Sequence, residues 1–481
     1  MARIGRRNVI FAILILVLLA CVVASMASKN DKKDGDGKNG KNGKNGNKGG
    51  GNDGKNGGKG GGNDGKNGGK GGGKNGDDGG SGGGAGGDDG SGGAAGGATG
   101  GVAAGGGAAS GGAAAGAGGG GSVFDVTKFG AKADDKSDSS TSFIKTWRAA
   151  CDSGAAGAKM LIPKGNYVAG PMVFEGPCKG KITFELQGIV KATTDLSQYS
   201  DPNWISFERI DGLTMLGGGT FDGQGAASWK YNKGGGGTLP DQLKFFRVDN
   251  SDISGITSLN SKYFHYHVVS CTSINFHDLK ITAPGDSPNT DGMHISLSKG
   301  ISLTNSAIGT GDDCVSIGQG ATNVKVSKVT CGPGHGFSVG SLGKVKNEAD
   351  VTGISVSDCT LTGTTNGARI KTYAGSSPSA ANNIIFNNLV MNNVQNPIII
   401  DQFYGSSSKQ PSQVKLSDIH FTNIKGTSAT PEAVTLKCSS AAPCAQVELT
   451  NINLTHGGGA GKASCSNAKV VGKASTVSCA T

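Results

Sequence analysis

A short apolar unit that returns every 23 to 33 residues constrains this chain more than any other feature. Clear copies begin at Ile274, Ile301, Val324, Ile354, Ile384, Val414 and Val447, and Ile301-Ser-Leu-Thr-Asn-Ser-Ala-Ile is typical. Each copy alternates apolar and polar residues, meets a polar pair often containing Asn or Asp, and resumes an apolar run. Strict alternation is the signature of a strand, and the polar pair reads as a tight turn between two strands. A period of this length means stacked repeats, in which no unit buries its apolar face without its neighbours. The leucine-rich pattern is missing, and propeller blades need about 40 residues or more. The expected fold is therefore all-β, a parallel β-helix (solenoid) whose weaker early coils fall near Ile182-Thr-Phe-Glu-Leu and Leu213-Thr-Met-Leu. Helical spacing occurs once, from Asp138 to Cys151, with Phe143, Ile144, Trp147 and Ala150 on one face. Ser140 or Thr141 could cap its start, and the helix would close the open end of the core.

Two segments ahead of the repeats do not read as fold. Residues 1–27 hold Arg3, Arg6 and Arg7, an apolar run from Val9 to Ala24, and Ser25-Met26-Ala27, the layout of a secretory signal peptide with its cleavage site. The apolar run falls short of the roughly 20 residues that a membrane span needs, so cleavage and export are expected rather than a stable anchor. Residues 28–122 are almost wholly Gly, Lys, Asn, Asp, Ser and Ala, too poor in apolar side chains to offset the entropy of ordering. They are expected to be a disordered, solvated spacer, with a weak electrostatic tether to an acidic polymer as the sharper alternative. Residues 123–481 are enough for one large domain. The formal charge of +10 comes partly from the leader and spacer, leaving this domain mildly basic. That suits an anionic ligand. Nucleic acid is not expected: there is no basic helix, aromatic stacking motif or zinc-finger spacing.

Ten of the eleven cysteines follow the leader, an even number in an exported chain, so disulfides are the default. Proximity pairs Cys151 with Cys178, Cys314 with Cys331, Cys438 with Cys444 and Cys465 with Cys479, leaving Cys271 and Cys359. No Cys-x-x-Cys occurs, and no metal or other cofactor is expected. Asn453-Leu-Thr is a glycosylation sequon. A monomer is expected.

Carboxylates in apolar β sequence are costly, and the chain sets three close together: Asp291, Asp312 and Asp313. Like charges at short range raise the pKa of one member, as acid–base chemistry requires. Residues one coil apart stack about 4.8 Å from each other. The step from Asp291 to Asp312 and the step from Asp312 to His335 are nearly equal, and each is close to one coil. Spacing therefore predicts that Asp291, the Asp312/Asp313 pair and His335 share one face. Flanking glycines (Gly292, Gly311, Gly334, Gly336) are expected to clear room for a ligand. Arg369 and Lys371 alternate on one strand face, one longer coil beyond His335. Asp252, Asp278, Asp358 and Asp418 read as turn residues.

Asn289-Thr-Asp291-Gly, Gly311-Asp312-Asp313-Cys, Gly334-His335-Gly336 and Arg369-Ile-Lys371 resemble, in order and spacing, the four signature motifs of the polygalacturonases, pectin-cleaving glycoside hydrolases. Val123-Phe-Asp-Val-Thr-Lys-Phe-Gly-Ala and Gly218-Gly-Thr-Phe-Asp-Gly-Gln-Gly resemble plant members, and Pro202-Asn-Trp-Ile-Ser-Phe-Glu-Arg-Ile-Asp the pollen-type exo-acting ones. The resemblance implies a right-handed β-helix in the extracellular space or cell wall that hydrolyses α-1,4-galacturonan with inversion. It implies Asp312 as the general acid, Asp291 and Asp313 as activators of water, and His335 as the group that helps set the acid's protonation. Arg369 and Lys371 would grip a substrate carboxylate, with Tyr404 and Asn289 as further contacts. Inversion needs carboxyls about 6.5–9.5 Å apart to admit a water, and Arg matches a carboxylate through its bidentate fork. The alternatives are an endo-acting polygalacturonase, a rhamnogalacturonan hydrolase or lyase, and a non-catalytic wall-binding protein.

Overall fold

The computed structural model describes residues 122–232, 239–405, 410–477 and 479. The expected leader and spacer lie outside them. The chain from Val123 onward is a parallel β-helix. One column of parallel strands runs through Tyr266–Val269, Met293–Ser296, Val315–Ile317, Phe337–Leu342, Asn366–Tyr373 and Asn396–Tyr404. A second runs through Thr272–His277, Lys299–Thr304 and Thr322–Ser327, and a third through Thr257–Leu259, Lys280–Thr282, Ala307–Gly309 and Thr330–Cys331. From Val351 on, the second and third fuse into continuous strands, Val351–Thr362, Ser379–Val394 and Val414–Ser428. The expected early coils are present too, with Ile182 paired to Leu213.

The polar pairs of the repeat do something simpler than a turn. Each supplies one left-handed residue that bends the strand: Asp278, Asn305, Lys328, Asp358, Asn388, Asp418 and Asn451, and with them Asn423 of the next Thr-Asn pair, all have φ between +49° and +56°. Asn and Asp tolerate that region best among residues with a Cβ. Stacking one coil apart, they also hydrogen-bond along the column: Asn388 Nδ2 donates to Asp358 Oδ1 at 2.6 Å and Asn451 Nδ2 to Asn423 Oδ1 at 2.7 Å. Asp252 is not a turn residue: it lies within Asp241–Ser254 and accepts from Asn275 Nδ2 at 2.9 Å.

Inside, like stacks on like. Phe207 and Phe245 lie parallel at 5.4 Å between ring centroids, as do Phe386 and Phe421. The one α-helix among the described residues, Ser140–Asp152, lays Phe143, Trp147, Ala150 and Cys151 on the first coils. Neither expected cap serves it. Ser139 is the capping position but makes no side-chain cap bond, and Asp138 Oδ1 instead accepts from the Ser140 N–H at 2.8 Å. Trp147 packs on Phe174 and Phe207, at 5.2 and 6.1 Å between centroids, and its Nε1–H donates to the Glu175 carbonyl. Trp147→Ala should therefore cost about 3–5 kcal/mol in denaturant unfolding, more than any exposed position on this helix.

The structure forms the four disulfides Cys151–Cys178, Cys314–Cys331, Cys438–Cys444 and Cys465–Cys479, with Cys271 and Cys359 buried as thiols. The first ties the capping helix to the next segment, and the second anchors the residue that follows Asp313. Asn453 is exposed on Cys444–His456.

Candidate active site

Three successive coils bring the acidic residues together. His294 pairs with Ser316, Ser316 with Ser338, and Ser338 with Arg369. Ahead of these strands the ladder continues, the Gly292 N–H donating to the Asp313 carbonyl at 2.8 Å and the Cys314 N–H to Gly336 at 2.9 Å. The coil step is 22 residues, as between the paired His294 and Ser316. Asp291 therefore stacks level with Asp313, not with Asp312, and Asp313 with His335. Arg369 stacks on Ser338 rather than on His335. The expected common face exists, shifted by one position at its centre.

The flanking glycines serve the stack rather than a ligand. A Cβ on Gly311 would run into the Ser287 carbonyl oxygen, and one on Gly336, at φ +83°, into that of Asn366. Coils this close leave no room for a side chain there.

Asn289, Asp291, Asp312, Asp313, His335, Arg369, Lys371 and Tyr404 all line one groove of about 720 Å³. A larger hollow of about 910 Å³, lined by Ala374, Pro378, Pro411, Leu416 and Ala442, holds Lys415 as its one titratable side chain among the described residues. Acid–base chemistry therefore points to the smaller groove.

Within it the three carboxyls have different surroundings. Asp313, with its side chain 2% exposed, accepts from Arg369 Nη2 at 2.6 Å and Ser338 Oγ at 2.8 Å on Oδ1, and from Lys371 Nζ at 2.8 Å on Oδ2. Burial opposes its charge, but Arg369 and then Lys371 outweigh it and hold the carboxyl well below the usual range. Asp291 is the reverse case. Burial, reinforced by Asp312 and Asp313, raises it well above the usual range, although Ser316 Oγ donates to its Oδ2 at 2.6 Å. Of the expected carboxyl set, the member with the raised pKa is thus Asp291.

Asp312 is the most reachable of the three, with its side chain 16% exposed. Its Oδ1 accepts from His335 Nδ1 at 3.0 Å and the Asp313 N–H at 2.8 Å, and its Oδ2 from Asn289 Nδ2 at 3.2 Å. Asn289 is in turn fixed by Asn232 Nδ2 at 2.8 Å. Burial alone would push His335 down, but the Asp312 and Asp313 carboxylates hold it above its ordinary value. Lys371 lies over the Tyr404 ring, 5.0 Å from its centroid, and Tyr373 meets Tyr404 edge-on.

Asp312, Asp313 and His335 could offer a cation ligand atoms within 4.8 Å of one another. Both Asp313 oxygens are already taken by Arg369 and Lys371, so the chain supplies its own positive charge and the cluster does not fit a metal.

A family model described as glycosyl hydrolases family 28 matches residues 151–479. The chain belongs to glycosyl hydrolases family 28. Among its relatives, it is 47% identical over 368 residues to an exopolygalacturonase (clone GBGE184) of Arabidopsis thaliana, covering 73% of this chain and 86% of that one. An exopolygalacturonase of Platanus acerifolia is 48% identical over 360 residues, covering 73% and 95%. Among solved structures, the endo-xylogalacturonan hydrolase of Aspergillus tubingensis superposes with a TM-score of 0.66 at 25% identity, covering 74% of this chain and all of that one.

Several residues of this family 28 groove have no motif of their own in the sequence reading: Tyr263, Phe264, His294, Ser316 and Tyr373 line it, and Ser338 braces it from below. His294, Ser316 and Ser338 each stand three positions after Asp291, Asp313 and His335. That constant offset is a usable signal. Tyr263 arrives from the preceding coil with nothing in its neighbourhood to mark it.

Asp291 carries a stability prediction. Its folded pKa is raised, so ionising it opposes folding as pH rises from the ordinary carboxylate value through the folded one. Asp291→Asn should raise the melting temperature at neutral pH and leave it nearly unchanged at pH 4. Thermal unfolding at the two pH values checks this.

Proposed function

We propose that this protein hydrolyses the α-1,4-galacturonosyl linkages of polygalacturonan, removing units from chain ends. One observation carries the chemistry: three carboxyls on one groove wall, of which Asp313 is held ionised by two buried cations and Asp291 is driven toward protonation, with Asp312 open between them. Asp312 is the general acid, since it is the one that a glycosidic oxygen can reach and His335 can re-protonate. Asp291 and Asp313 position and activate the attacking water for inversion. Arg369 and Lys371, together with Asn289 and Tyr404, face the sugar carboxylate. The likeness to two plant exopolygalacturonases supports the exo preference.

The same reading covers the rest of the chain. Residues 1–27 direct export and are removed, residues 28–122 are a spacer, and residues 123–481 form the catalytic domain, a monomer that works in the cell wall and carries a glycan at Asn453. Incubation with polygalacturonate, followed by sizing of the products, tests the proposal. Monomer alone from the earliest times is expected, and resistance to a chelator with no unsaturated ends. A ladder of oligomers would overturn the exo assignment, and no new reducing ends would overturn hydrolysis.

A further inference from the structure

Behind Asp291 runs a hydrogen-bonded line that the roles above do not use. Ser316 Oγ donates to Asp291 Oδ2 at 2.6 Å, and on its other side lies 2.8 Å from His294 Nδ1. A hydroxyl has one proton. If Ser316 gives it to Asp291, it can only accept from His294, which must then carry hydrogen on Nδ1. The imidazole is built into this orientation. It stacks on Phe264 at 5.0 Å between centroids and 21° between planes, and meets His267 edge-on at 5.2 Å. Its other edge lies against Gly318, where a Cβ would stand 3.3 Å from Nε2. Strand register fixes the pair, since His294 and Ser316 are direct partners on adjacent coils.

We infer that His294 is a positioning residue for Asp291: by donating from Nδ1 to Ser316 it fixes the serine as a donor, which favours the ionised, water-activating form of Asp291. The inference rests on the hydrolase reading above. Asp291 needs such help, because burial and the charges of Asp312 and Asp313 all oppose its ionisation, with Lys371 the charge that favours it. Facing His294 are His267, Asp313 and Lys371. Burial, aided by His267, pushes His294 down to about 3, so it stays neutral and free to hold the required tautomer while Asp291 titrates.

The test is the acidic limb of the kcat/KM–pH profile on polygalacturonate, which reports the base of the free enzyme. Ser316→Ala removes the donor, and His294→Phe keeps the stack on Phe264 but removes the Nδ1 hydrogen. A hydrogen bond to a charged group contributes enough to move a pKa by about one unit or more. Each variant should move the acidic limb up by about one pH unit, costing roughly tenfold below the limb and less than about threefold on the plateau. His294→Asn, whose Nδ2 can replace Nδ1 as donor, should restore the limb. The Ser316→Ala/His294→Phe double variant should match Ser316→Ala alone, because both act through one hydroxyl. An unmoved limb, a loss equal at every pH, or additive effects would overturn the inference. A wild-type protein that releases no reducing ends would instead sink the hydrolase reading itself.

Discussion

Asp312→Asn should lower turnover of polygalacturonate by roughly 10²–10⁴-fold with the fold unchanged. The side chain sits at the groove surface, so the substitution keeps its volume and creates no cavity. It still accepts from the Asp313 N–H, which shares Oδ1 with His335. What it loses is the proton that the leaving oxygen needs. That makes a sharper test available. A galacturonosyl substrate whose leaving group needs no proton, such as a fluoride, should be cleaved by the Asp312→Asn variant within about tenfold of wild type. Loss of both activities alike would mean that Asp312 organises the site rather than protonating it. Full retention on the polymer would move the acid to Asp291, the group driven toward protonation at rest.

The repeat and the site are legible to different depths, for physical reasons. Alternation at Ile274, Ile301 and Val324 reads directly as strands, because stacked coils bury every second side chain. A single left-handed residue such as Asn305 looks like a turn in sequence, since both uses favour Asn. Coil length is harder. Asp291 to Asp312 reads as one coil, but the ladder steps one position further, and only backbone hydrogen bonds reveal which of two adjacent aspartates is stacked. Gly311 and Gly336 mark the right place for a wrong reason: they let coils approach, not a ligand. Partner choice is the least legible. Nothing in Arg369-Ile-Lys371 says that its cations turn inward onto Asp313, because that pairing spans two coils and 56 residues. The charge that an anionic sugar would meet is thus already shared with a buried aspartate.

Removing that share should be expensive. Arg369→Leu removes one of the two cations paired with buried Asp313, leaving Lys371 and the Ser338 hydroxyl, and also takes a donor from Ser338 Oγ, which accepts from Arg369 Nε at 2.8 Å. Breaking a buried pair from one side typically costs about 3–5 kcal/mol, because the remaining charge keeps its desolvation penalty. With Arg369 and Asp313 only 3% and 2% exposed, solvent cannot soften the loss. The pH dependence separates this cause from lost packing. In the wild type Asp313 is depressed, so its contribution is complete above the ordinary carboxylate value and lost only as pH falls through the lower folded value. Without Arg369 that folded value rises. The deficit of Arg369→Leu in urea unfolding should therefore be largest near pH 7 and shrink toward pH 4, where Asp313 can take up a proton. Adding Asp313→Asn should recover part of the stability at pH 7 and almost none at pH 4. A deficit that ignores both pH and the second substitution would mean that Arg369 stabilises this coil by its stem, not by its charge.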